Sequence, residues 1–112
     1  MRVSMSELRH RITILRPVTD MDDEGNILSS SVQELSKAWA LVLPFAAKIS
    51  DGYAEKVQEV DYRIVIRYRA DVRVTDIVEW EGKRLTPIAP PYPLGGKKQW
   101  LVMDCRELVE DG

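Results

Sequence analysis

From Val60 to Tyr68 the chain alternates without a break. Val60, Tyr62, Ile64, Ile66 and Tyr68 fall on one side, and Asp61, Arg63, Val65 and Arg67 on the other. A period of two belongs to a strand with one face in a core, so this stretch commits the chain to a sheet and places both tyrosines inside it. The same period recurs from His10 to Arg16, where Ile12 and Ile14 oppose Arg11 and Thr13, and Pro17 is expected to end the strand. A further strand is predicted from about Val32 to Pro44. Leu35, Trp39, Leu41 and Leu43 share one of its faces and Ala38, Ala40 and Val42 the other, so both faces should be at least partly covered. Ile77 to Trp80 and Lys83 to Ile88 form a hairpin turned by Glu81 and Gly82. Gln99 to Glu107 is the closing strand, with Leu101, Met103 and Cys105 on one face and Trp100 and Val102 on the other.

The connections are marked by their own chemistry. Ser4 and Glu7 have capping-box spacing, which predicts a short N-terminal helical turn. Asp20 to Asn26 is acidic and contains Gly25 and Asn26, which accept the positive φ of a tight hairpin loop. It resembles the start of a calcium loop, but the twelfth position is Ser31 where a bidentate glutamate is needed. Pro87, Pro90, Pro91 and Pro93 confine the stretch up to Gly95 and Gly96 to an edge or a loop. Residues 45 to 59 have Gly52 at their centre and no clear period, so they are expected to project as one long loop, the place where function concentrates. About six strands with almost no helix signal, in 112 residues, predict a single all-β domain over 1–112, a small antiparallel barrel or sandwich.

Composition then removes function classes. Sixteen basic and eighteen acidic residues leave a net charge of −2, too little positive field for tight DNA or anionic-membrane binding. Cys105 is the only cysteine, so no disulfide can form within the chain, and it is expected as a small buried hydrophobe. His10 is the only histidine and sits between Arg9 and Arg11, so neither a triad base nor a four-ligand zinc site can be assembled. Paired carboxylates such as Asp22 and Asp23 lie in solvated segments, and Gly95, Gly96 and Lys97 lack the rest of a phosphate loop. No catalytic, cofactor or metal residues are assigned, and the chain is read as a non-enzyme. The charged residues near the N-terminus exclude a secretory signal, and no apolar run is long enough to span a bilayer. An alternative reading is a small barrel that binds single-stranded nucleic acid on Tyr62 and Tyr68 beside Arg63, Arg67 and Arg69.

The order of landmarks adds a resemblance. Leu8, His10, Arg11, Ile12 and Ile14 are followed by an acidic turn with Gly25, then Trp39, Ala40 and Pro44. Tyr62, Ile64, Ile66, Arg67, Tyr68 and Arg69 come next, then Gly82 and Ile88, and Leu101 to Glu107 closes the series. From about Ser6 to Glu107 the chain resembles the head-tail joining family of long-tailed bacteriophages, the head-closure, stopper or head-tail adaptor proteins. Its most specific parts are the Trp39-Ala40 pair and Ile66-Arg67-Tyr68-Arg69. The resemblance implies a small antiparallel β-barrel in the virion, made in the bacterial cytoplasm. It implies assembly as a ring below the portal and its adaptor, closing the DNA exit after packaging and offering a platform to tail proteins. It further implies that the loop after the Trp-Ala strand reaches the channel, here with Lys48, Ile49, Ser50, Asp51, Gly52, Tyr53, Ala54, Glu55 and Lys56 meeting packaged double-stranded DNA non-specifically. A tail-completion or tail-terminator protein is the nearby alternative. Arg2 to Arg11 and the Asp20 to Asn26 turn are candidate contacts with neighbours, and the isolated chain is expected to be a monomer whose loop orders only on a ring of partners.

Overall fold

The computed structural model describes residues 3–52 and 55–107, with the backbone alone for 45–52 and 55–60. Seven strands appear in chain order: β1 (His10–Met21), β2 (Ile27–Gly52), β3 (Glu55–Arg67), β4 (Ile77–Trp80), β5 (Lys83–Pro87), β6 (Tyr92–Pro93) and β7 (Trp100–Glu107). Neighbours run β3-β2-β1-β4-β5-β7-β6, every pairing is antiparallel, and β3 also pairs with β7. That last pairing closes six strands on themselves as a small barrel, to which β6 adds a short flap. The only helical segments among the described residues are two 3-10 turns, Met5–Glu7 and Leu94–Gly96.

The alternation sorts as expected on β3. Ile12, Ile14, Ile64, Ile66, Val78, Leu85, Met103 and Cys105 are fully buried inside the barrel, with Tyr62 beside them. Branched and long side chains from β1, β3, β5 and β7 fill most of the interior, so β2 contributes the small Ala40 and Val42 there. Leu35, expected on one face with Trp39, Leu41 and Leu43, packs instead against the interior, because the ladder with β1 shifts there from Ile14↔Ser36 to Leu15↔Glu34; the other three point outward. Leu41 joins an outer cluster, but Trp39 is 54 % exposed and Leu43 stands at the surface, so the second face of this strand is covered only in part.

The outer cluster is what the alternation hid. Leu8, Val65, Trp100 and Val102 are buried on the outside of the β3-β7 wall, with Val3, Leu41 and Leu94 packed against them. The N-terminal 3-10 turn acts as their cover. Glu7 Oε2 accepts the Ser4 backbone N–H at 3.2 Å, half of the capping box read from the sequence. Beside this patch the outward charges pair across strands in register: Arg63 opposite Asp104 and Arg106 opposite Asp61, each at 2.9 Å. A slip of one residue would turn the aspartate and the arginine of the slipped strand into the barrel, so these pairs fix the β3-β7 register more than they add stability.

Two expectations about where strands stop are corrected. β1 continues through Pro17 to Met21, and β2 continues through Pro44 to Gly52. Both prolines sit where their strand has one neighbour. β1 pairs with β4 only over Thr13–Leu15, and β2 pairs with β1 only as far as Ala40, so in each case an edge is open to carry a residue without an N–H. The hairpin turn at Glu81 and Gly82 has φ of 49° and 75°, as its two-residue length demands.

Candidate assembly surfaces

The corrected strand ends produce two arms. Beyond Leu15 and Ser36, β1 and β2 leave the barrel as a two-stranded ribbon that pairs from Leu15↔Glu34 to Met21↔Ile27. Six residues past Leu15 give this upper arm a reach of roughly 20 Å. Its tip is set by Asp22, whose Oδ1 accepts the N–H groups of Asn26 at 2.8 Å and Glu24 at 3.0 Å, with Gly25 at φ 84°. Those donors, Asn26 first, hold the Asp22 carboxyl below the ordinary carboxylate range. The arm carries apolar side chains into solvent: Met21 is 60 % exposed and Ile27 and Leu28 68 % each.

At the other end of the barrel, β2 and β3 continue beyond the β7 pairing, which stops at Asp61↔Arg106. They form a ladder from Phe45↔Asp61 to Gly52↔Glu55 with an irregularity between Phe45 and Ala47. The long loop expected over 45–59 is therefore a β-hairpin in its backbone. Lys48, Ile49, Ser50, Asp51 and Gly52 end β2, and Glu55 and Lys56 begin β3, while Tyr53 and Ala54 lie outside the described residues. Gly52 marks the approach to the turn rather than the middle of an irregular segment. With both arms extended, the radius of gyration is 16.2 Å, against about 13 Å for a compact domain of this length.

The root of the upper arm is tied down. Arg16 Nε and Nη2 donate to the two carboxylate oxygens of Asp76 at 2.9 and 3.0 Å, and Arg73 N–H donates to the same carboxylate at 2.8 Å. Asp76 is 1 % exposed, the buried charge among the described residues. Arg16 Nη2 also donates to the Asp71 carbonyl at 2.6 Å, and Asp71 receives Arg69 through both its oxygens at 2.6 and 2.7 Å. The Arg69 guanidinium in turn holds the Asp71 carboxyl below its usual value. At the opposite mouth Trp80 lies edge-on to His10 and to Tyr62, each with ring centroids 5.5 Å apart, and Lys83 Nζ stands 5.4 Å from the Trp80 ring. His10 thus packs against an aromatic ring, and among the described residues no three His, Cys, Asp or Glu side chains gather as a metal site.

Beside the N-terminal turn lies a groove of about 770 Å³ lined by Met5, Leu8, Arg11, Lys37, Ala38, Trp39, Ile66, Arg67, Tyr68, Arg69 and Asp71. Trp39 forms part of its wall with the Arg11 guanidinium 5.1 Å over its ring. The two segments that the sequence marked as most specific, Trp39-Ala40 and Ile66 to Arg69, meet here. Nothing local in the sequence shows that they are neighbours, because it is the β2-β3 register, at its Leu41↔Val65 end, that brings them together, while the β1-β2 register sets Arg11 opposite Trp39. The stacking platform required for single strands is not presented: Tyr62 is inside the barrel and Tyr68 is half-buried against its core. The Asp20 to Asn26 turn, a candidate contact from the sequence, includes the exposed Met21, whereas the exposed Ile27 and Leu28 just beyond it were not singled out.

The structure is similar to that of a Shigella flexneri 2a protein determined in solution, with a TM-score of 0.74 and 32 % identity over 97 % of this chain and 100 % of the other. It is also similar in fold to a chain in the virion of a native gene transfer agent particle, with a TM-score of 0.70 and 17 % identity over 91 % of this chain and 96 % of that one. No curated protein matches the sequence. The family model described as phage head completion protein matches residues 3–108. The chain therefore belongs to the phage head completion protein family and is a structural virion protein of the bacteriophage head-tail joint.

Proposed function

We propose that copies of this chain form a ring below the portal and its adaptor, that the ring closes the DNA exit after packaging, and that it offers tail proteins their platform. The observation that carries this reading is the lower hairpin, a two-stranded ladder over 45–52 and 55–60 that leaves the barrel with no third strand among the described residues. An arm of eight residues on one side reaches roughly 25 Å, enough to carry its turn well clear of its own body. Arranged around an axis, such arms meet and obstruct a channel by bulk alone. Lys48, Asp51, Glu55 and Lys56 supply balanced charge, so the arm opposes passage of double-stranded DNA without gripping phosphates. The work is mechanical, and the chain is read as having no catalytic role. The host cytoplasm is where the ring would be assembled, from chains that are monomers when isolated.

Deleting 49–55 tests this. The barrel should fold as before, since its interior residues all lie elsewhere, and filled heads should leak their DNA. Heads that keep a full genome with the deletion in place would show that the hairpin is not the plug.

A further inference from the structure

We propose that the upper arm of one copy seats in the Trp39 groove of the next copy, with the acidic tip of the first against the basic walls of the second. The inference rests on the ring reading above and names the contact that would build such a ring.

Two surfaces of opposite character lie on the same molecule. The arm tip carries Asp20, Asp23 and Glu24 beside exposed Met21, Ile27 and Leu28. The groove carries Arg11, Lys37 and Arg67 around the exposed Trp39 ring, and its one acid, Asp71, is already paired with Arg69. Each surface is thus an apolar patch rimmed by one sign of charge, and the signs are complementary. The groove volume, about 770 Å³, is in the range that encloses a few side chains rather than a whole domain.

The two surfaces cannot meet within one chain. Arg11 and Met21 belong to the same strand, ten residues apart, so the tip stands roughly 33 Å from the groove along an unbroken β1. The arm also cannot bend back at its root, because Arg16, Asp76 and the Arg73 backbone fix it to the segment before β4. The complement must therefore come from another molecule. A patch that fits a different patch on an identical copy is a heterologous contact, the kind that generates closed rings. A lone two-stranded ribbon is marginal in water, so the arm also gains order from being covered.

Cysteine pairs in assembled particles provide the test. Glu24→Cys at the tip and Lys37→Cys in the groove leave the buried Cys105 and every core residue untouched. Under mild oxidation, particles carrying both should give a ladder of disulfide-linked chains, lost when either cysteine is absent. Asp23→Lys with Glu24→Lys should cause loss of particle incorporation. Arg11→Glu with Arg67→Glu should do the same, and combining the two pairs should restore it. If incorporated chains cross-link to one another elsewhere but never tip to groove, this contact is refuted while the ring stands. If incorporated chains fail to cross-link to one another by any route, including a non-specific lysine reagent, the ring reading fails and this inference with it. Loss of DNA retardation by Arg11→Glu with Arg67→Glu, without any effect of the tip substitutions, would assign the groove to nucleic acid and overturn the proposal.

Discussion

Replacing the same residue type at two places separates the barrel from its arms. Ile64 is fully buried on β3, opposite Val42 of β2 and Met103 of β7. Ile64→Ala removes three carbons, worth about 2.4 kcal/mol of transfer free energy at ~0.8 kcal/mol each. The strand is held on both sides there, so the wall cannot collapse into the space, and the cavity contribution raises the expected loss to about 3–4 kcal/mol. At ~4 °C per kcal/mol for a domain of this size, the Tm should fall by roughly 12–16 °C. Ile27, on the upper arm, is 68 % exposed, and Ile27→Ala should change stability by no more than about 0.5 kcal/mol. Urea unfolding followed by far-ultraviolet circular dichroism reads both, with the slope unchanged in each variant. A loss below ~1 kcal/mol for Ile64→Ala would mean that this face of β3 does not line the interior. A loss above that figure for Ile27→Ala would mean that the arm is packed within the monomer.

Two further outcomes follow from the titratable groups. The Asp22 carboxyl has its folded pKa depressed by the Asn26 and Glu24 donors, so its contribution to the upper-arm turn is present above the ordinary carboxylate value and is lost as pH falls through the depressed one. In an NMR titration Asp22 should lose its charge below the ordinary carboxylate range, and titration within that range would refute the capped turn. The Cys105 thiol is pushed up to about 12 by burial, so a thiol reagent at pH 8 should label it only as the barrel opens. Labelling at the rate of a free thiol in the folded protein would place it outside the core.

Period-two patterning made the barrel wall legible because burial on one face acts on every second residue. It correctly put Tyr62, Ile64, Ile66, Leu101, Met103 and Cys105 on the inner side. It reported less well on strands whose outer face is also covered, since Val65 and Val102 look like interruptions until Leu8 is seen to lie over them. The ends of β1 and β2 were misjudged for one shared reason. Proline and glycine report what a backbone can donate or which φ it can adopt, but not how many neighbours a strand has. At Pro17 and Pro44 one neighbour is missing, and the strand passes through each. The groove at Trp39 was legible only as two separate marks, since the registers that join them are non-local.

β2 runs as one strand from Ile27 to Gly52. From Ile27 to Asp51 it contains no glycine, and it contributes one strand to the upper arm, one stave to the barrel and one strand to the lower hairpin. At ~3.3 Å per residue its contour is roughly 86 Å, while the longest dimension of the molecule is 49 Å, so it must coil around the body rather than cross it. The strand bends where its ladders shift register, at Leu35 and Leu28 against β1 and at Ala46 against β3. A tug at the tip of the upper arm is felt along the lower hairpin through the covalent bonds of this one strand.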